Sequence, residues 1–257
     1  MTTSGIVSAP DIPRIGHAEA MRLTATENGR MLDVVRGLRP EDWAASTDCP
    51  RWTVRDMVVH LIASAEAQAN PVEFARQVWA GRRLTAQIGG EHWVDGLNEA
   101  QLRSRGTWTA EELPPRWEKA GAAALVARRR IPAPIRALPL LPLGTVLGTR
   151  LGWKPLGYLF DIGFTRDVWM HRIDIARAAG IPPELTSEHD GRIVADLLAE
   201  WSGRHGQTYT LTLTGPAGGE FRAGTGGEPQ TVDAVEFARI LSGRAEGPGI
   251  LRHKLPL

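Results

Sequence analysis

Two segments carry side chains able to hold a metal ion, and in each the spacing puts them on a helix face that would normally be buried. In the first, which includes Thr165–Gly180 (TRDVWMHRIDIARAAG), positions 160, 164, 167, 171, 174 and 178 follow one helical face, occupied by Phe160, Phe164, Asp167, His171, Asp174 and Ala178. Asp167 and His171 are one turn apart and offset by about 40° around the axis, so both can reach one point. A buried carboxylate is costly unless something positive compensates it. In the second segment, Trp52–Ala63 (WTVRDMVVHLIA), His60 follows Met57 by three and precedes Ser64 by four, so a facing helix can supply a third ligand. Two imidazoles and one carboxylate form the ligand set of a divalent metal site with positions left open. The same spacing also suits a helix in which Asp167 pairs with an arginine such as Arg172 or Arg55 while His171 packs as a core histidine, and ligands at i and i+4 do not separate the two.

Other chemistry-bearing side chains are fewer. Asp174, three residues past His171, can orient that imidazole as a hydrogen-bond acceptor, or stand as an exposed carboxylate near the helix end. Trp169 points off the ligand face and is expected in the core. Cys49, the single cysteine, excludes an internal disulfide and a cysteine-based zinc cage; it lies in a turn before Trp52, is expected to have no nearby histidine to form a nucleophilic pair, and is read as structural. His17, His92, His189, His205 and His253 show no ligand spacing with one another. The GTGG at 224–227 lacks the lysine and spacing of a nucleotide loop.

Elements must position these residues. Arg14–Leu38 reads as a first helix through Met21, Ala25, Asn28, Leu32, Val35 and Leu38, with Asn28 set either to fix register or to face a polar pocket. Thr53 caps the second helix, which carries His60 and runs to Asn70, where Pro71 breaks or kinks it. Asp95–Arg105 and Thr109–Arg130 form a discontinuous third helical region, the latter opened by the capping box TAEE. A long Pro-, Leu- and Gly-rich connection, Ile131–Lys154, precedes the fourth helix and reads as a lid or a packing strap. After Gly180 the pattern changes to a helix at Ser187–Gly203, a strand at Gln207–Thr214, a second near Glu220–Ala223, a helix at Thr231–Gly243 and a last edge strand at Ile250–Leu257. The expected fold is mainly α with a small α+β domain: a tail over 1–13, a four-helix bundle over 14–182 and an appended domain over 185–257.

Composition excludes some functions. At 257 residues, 42% hydrophobic and 23% charged, the chain is an ordinary globular protein of one large or two ordinary domains. A net charge of +1, with no basic stripe interleaved with aromatics, gives no reason to expect a nucleic-acid partner. The most apolar region, Ile131–Phe164, has its longest charge-free run at Ala137–Thr149, well short of the ~20 residues of a membrane span. No signal segment opens the chain, so the cytoplasm is the expected compartment.

Five motifs occur in an order that resembles the mycothiol-dependent maleylpyruvate isomerase family: WTVRDMVVHL from Trp52, DGLNE from Asp95, DVWMHRIDIARA from Asp167, LTGPAGGEFR ending at Arg222, and LSGR ending at Arg244. The resemblance covers roughly residues 14–130 and 157–257 and implies a DinB-like metal-binding four-helix bundle followed by a sterol-carrier-like C-terminal domain. It implies zinc held by a histidine on the second helix and a Glu-x-x-x-His pair on the fourth, which fall on His60, Asp167 and His171. Aspartate stands at 167 where that pattern has glutamate, one methylene shorter, so the cation would sit closer to the fourth helix or be held more loosely.

The resemblance also implies mycothiol as co-substrate: its thiolate adds to a double bond of a small electrophilic metabolite, the new single bond rotates, and elimination gives the other geometric isomer. Arg222 and Arg244 are then the candidates for binding anionic groups of thiol or substrate, because arginine clamps a carboxylate with two hydrogen bonds. Two other functions fit the same scaffold, a thiol-independent isomerase or cyclase acting on an apolar metabolite and a non-catalytic small-molecule binding protein.

Overall fold

The computed structural model describes residues 5–90, 92–139, 141–146 and 149–255, with the backbone alone at 141–146 and 149–151. The chain divides into two compact units, one formed by His17–Pro139 and Pro155–Pro183, the other by Met1–Gly16, Leu140–Lys154 and Glu184–Leu257. The first is helical: α1 (His17–Gly37), α2 (Val54–Ala69), α3 (Pro71–Gln87), α4 (Trp93–Arg103), α5 (Leu113–Arg129), the single turn α6 (Ala133–Arg136) and α7 (Phe164–Ala178). The second holds strands β1 (Val7–Ser8), β2 (Leu141–Val146), β3 (Thr149–Lys154), β4 (Tyr209–Thr214), β5 (Gly219–Ala223) and β6 (Pro229–Asp233), with helices α8 (Arg192–His205) and α9 (Ala234–Leu241). The fold is mainly α with a small α+β part.

Local chemistry starts and stops the helices that matter for the site. Thr53 and Asp56 form a reciprocal capping box at the start of α2, each side chain satisfying the other's backbone N–H. At its far end Asn70 Oδ1 accepts from the N–H groups of Val72 and Glu73, and Pro71 takes the first position of α3, so one helix hands directly to the next. Helix α2 packs against α3, α4, α5 and α7, and every residue from Met57 to Ala65 is buried. Met31, Val35, Met57, Leu61, Leu113, Trp117, Val168 and Ile175 share its core.

Polar groups inside this bundle are partnered between helices. Arg172 of α7 makes a two-pronged contact with Glu27 of α1, Nε–Oε1 2.6 Å and Nη2–Oε2 3.3 Å, with both side chains fully buried. Thr24 and Thr165 join the same two helices through their hydroxyls at 2.8 Å. Arg128 of α5 donates to Phe160 O at 2.6 Å and Thr165 Oγ1 at 3.0 Å, pinning the π-helical turn Tyr158–Gly163 that leads into α7. Burial pulls its pKa down to about 10, so it stays charged at neutral pH. Asn28 serves register: its Nδ2 donates to Gly121 O at 3.0 Å, and Trp117 Nε1 donates to its carbonyl at 3.1 Å.

In the second unit the sheet order is β1-β5-β4-β6, with β4 antiparallel to β5 and parallel to β6. Alternating Tyr209, Leu211 and Leu213 are buried on one face, and Trp201 of α8 sits 5.2 Å from Tyr209 and 5.4 Å from Phe237 of α9, centroid to centroid. Strands β2 and β3 pair as a separate antiparallel hairpin.

Several expectations change. Val7–Ser8, assigned to a tail over 1–13, pairs in parallel with Phe221 and Arg222 of β5; residues 1–4 lie outside the described residues. The second helix does break at Pro71, but that proline opens a further helix that the sequence reading did not assign. The connection at 131–154 contains α6 and the β2–β3 hairpin, although positions 140, 147 and 148 of its apolar run lie outside the described residues. Residues 231–233 belong to β6, and Asp233 caps α9. No final edge strand occurs among the described residues of 250–255, where Gly249–Arg252 is a 3-10 turn; positions 256 and 257 lie outside the described residues.

Candidate metal centre

Helix α7 is more deeply enclosed than a one-faced pattern implies, with Thr165, Arg166 and every residue from Val168 to Ala176 buried. Asp167 lies in the partly open gap of that run, its side chain 23% exposed, beside His60 and His171 at 9% each. His60 Nε2 is 3.6 Å from Asp167 Oδ2, and His171 Nε2 is 3.5 Å from Asp167 Oδ1. These separations are too long for good hydrogen bonds. They match two ligand atoms sharing a tetrahedral ion, which stand roughly 3.3–3.6 Å apart when each is ~2.0–2.2 Å from the metal. Of the two arginines weighed as partners for Asp167, Arg172 makes its two-pronged contact with Glu27 and Arg55 donates to the carbonyls of Gly106 and Trp108.

The turn before α2 encloses this group. Thr47 Oγ1 donates to Trp52 O at 2.8 Å and accepts from Cys49 N at 3.2 Å, fixing a tight loop that Asp48 ties to Arg177 of α7 at 3.4 Å. The loop sets the Trp52 ring 4.9 Å from His60 and 5.8 Å from His171, centroid to centroid. It also carries Cys49 to α7, where ligand-capable atoms of Cys49, His171 and Asp174 lie within 4.8 Å of one another. The expectation that no histidine neighbours Cys49 is therefore corrected: the neighbour arrives from α7, distant in sequence. Asp174 is 1% exposed, with Oδ2 3.1 Å from His171 Nδ1, so it is not an exposed carboxylate near the helix end.

Sequence reasoning missed Trp52 as a wall of the centre and Gln101, whose Oε1 is 2.7 Å from His60 Nδ1. The signal for Gln101 was a lone amide on an inward face otherwise made of Gly96 and Ala100. Arg222 and Arg244 belong to the other unit. Arg222 is exposed on β5, opposite Thr210 and Ser8, and Arg244 follows α9, with its N–H bonded to Arg239 O at 2.9 Å.

Fold and site together define a helical bundle with a candidate histidine–carboxylate metal centre, joined in one chain to a small α+β unit. The chain belongs to the family described as the mycothiol maleylpyruvate isomerase N-terminal domain, which it matches over residues 24–176. Two solved structures are similar: the mycothiol-dependent maleylpyruvate isomerase, with a TM-score of 0.55, and its histidine-to-alanine mutant, with 0.57. Each is 16% identical to this chain, with 93% of this chain and 93% of that chain covered, so the likeness is one of fold. No curated protein sequence matches.

Proposed function

We propose that this protein is a mycothiol-dependent isomerase or thiol transferase that uses a zinc ion to act on a small electrophilic metabolite. The observation that carries this reading is the placement of two imidazole Nε2 atoms at 3.6 and 3.5 Å from the two oxygens of one carboxylate, a spacing suited to ligands and not to hydrogen bonds. Family membership supports the thiol, and the fold shared with a mycothiol-dependent maleylpyruvate isomerase supports an isomerase. His60, Asp167 and His171 would hold the cation. When bound, zinc with three protein ligands keeps a thiol in its open position deprotonated near neutral pH.

The chain's own groups prepare that position. Asp174 accepts from His171 Nδ1–H, leaving the Nε2 lone pair directed toward Asp167. Trp52 packs near both imidazoles and keeps water from that side. Arg222 and Arg244 are our candidates for holding an anionic group of thiol or substrate, and either Arg→Ala substitution should then raise KM more than it lowers kcat. The proposed compartment is the cytoplasm, and no described helix is long and apolar enough to cross a membrane.

Turnover of maleylpyruvate, followed with and without mycothiol and after dialysis against a chelator, tests the reading. Isomerisation that needs both components and returns with added zinc is expected. Equal rates without thiol and after metal removal would overturn it.

A further inference from the structure

Behind His60, three helices share a chain of buried amides whose polarity follows from its far end. Gln77 of α3 donates through Nε2 to Ala63 O of α2 at 2.9 Å and to Glu73 Oε1 at 2.8 Å. Neither acceptor can donate in return: one is a backbone carbonyl, and the other is a carboxylate held ionised by Arg76, Gln77 and Arg105. The Gln77 amide is therefore fixed with its oxygen toward α4, where it accepts from Gln101 Nε2 at 2.8 Å. Rotating the Gln101 amide by half a turn would set two carbonyl oxygens against each other, so its Oε1 must be the atom that meets His60 Nδ1 at 2.7 Å.

The chain is clamped by backbone contact. A Cβ on Gly81 would lie 2.6 Å from Leu97 Cα, and one on Gly96 would overlap the Gly81 carbonyl oxygen, so α3 and α4 touch backbone to backbone one turn along from the two glutamines and hold them at bonding distance. Gln77 and Gln101 are only 2% and 3% exposed, so water does not compete for these amides.

We infer that Gln77 and Gln101 are positioning residues that hold His60 as the Nδ1–H tautomer and so reserve its Nε2 lone pair for the point shared with Asp167 and His171. A carbonyl oxygen only accepts, so Nδ1 carries the proton and neutral imidazole has its lone pair on Nε2. Asp174 accepts from His171 Nδ1 in the same way, so on the proposed reading both imidazoles turn Nε2 toward Asp167. The tautomer assignment rests on the amide chain alone, whereas its consequence for metal binding rests on the proposed centre.

Nitrogen-15 spectra of the histidine rings, recorded on metal-free full-length protein, read directly which ring nitrogen carries the proton. The wild type is expected to show His60 protonated at Nδ1. Gln101→Glu, which keeps an acceptor, should preserve that signature, and Gln101→Leu should move it toward the Nε2–H form of an unconstrained imidazole. If Gln101→Leu does not fold, Gln77→Leu frees the Gln101 amide to rotate and should give a mixture. A wild-type His60 protonated at Nε2, or a folded Gln101→Leu protein that keeps the wild-type signature, would overturn the inference. Zinc affinity, titrated separately, should fall roughly 10–100-fold in Gln101→Leu and much less in Gln101→Glu. A protein that binds no zinc but shows the Nδ1–H tautomer would overturn the proposed metal centre while upholding the amide chain.

Discussion

The imidazoles of His60 and His171 stand edge to face, 5.4 Å between centroids and 82° between planes, one delivered by α2 and the other by α7. Each presents its Nε2 to a different oxygen of Asp167, so the carboxylate bridges two helices that meet through α2–α7 packing. On the proposed reading, in which Asp167 is a ligand and not merely a supporting contact, Asp167→Ala should lower zinc affinity by more than roughly 100-fold. Competition with a chromogenic chelator measures this, and an unchanged constant would exclude Asp167 as a ligand.

Asp174 acts one bond further out. Asp174→Asn puts an amide beside His171 Nδ1, where only one of its two orientations can still accept. Zinc affinity is expected to drop roughly 10–100-fold, in the same titration.

The Glu27–Arg172 pair holds α1 to α7 next to the site, with side chains 0% and 1% exposed. Glu27→Ala removes one partner of this buried two-pronged contact and should cost about 3–5 kcal/mol in urea unfolding. The double variant Glu27→Leu/Arg172→Met should recover most of that loss, because it removes both charges. A single variant of wild-type stability would contradict the account.

How far the sequence could be read depends on which side of each helix carries the apolar residues. Helical spacing was enough to put His60 on an inward face of α2 and Asp167 and His171 on an inward face of α7, whose ligand-capable atoms lie within 4.8 Å of one another, and α7 could be found from its pattern. Helix α3 was not, because its pattern is inverted: Val72, Phe74 and Trp79 are exposed at 76, 40 and 59%, while Gln77 and Gly81 are the buried positions. Helix α1 is similar in part, burying Thr24 and Glu27 and leaving Ala25 exposed, since Thr165 and Arg172 of α7 wait for those polar groups. Cys49 and Trp52 reach the histidines through a turn, whose path no periodicity describes. Strand β1 is two residues long, too short for any alternation to show.

Close helix approach gives a fourth expectation. Gly96→Ala should destabilise the protein by about 1–3 kcal/mol, because the added methyl overlaps the Gly81 carbonyl. Gly29→Ala, on an exposed stretch of α1 with nothing within 4 Å of the new methyl, should instead stabilise by roughly 0.5–1 kcal/mol. Paired denaturation curves check both.

The small unit carries its own pH sensitivity. Burial, and after it the neighbouring His253 ring stacked 5.0 Å away, pushes the His205 pKa down from 6.5 to about 4. The unfolded chain binds that proton near 6.5 and the folded one only near 4, so this contribution to stability is complete above pH 6.5 and is lost as pH falls toward 4. Thermal unfolding across this range should show a falling Tm in the wild type and a flatter profile in His205→Gln.

The metal content of the purified, folded protein tests the central claim most directly. Elemental analysis after reconstitution with zinc should find about one equivalent per chain, and His60→Ala and His171→Ala proteins with native circular dichroism should retain far less. Wild-type protein that holds no stoichiometric divalent metal, or that holds it undiminished without either imidazole, would contradict the account.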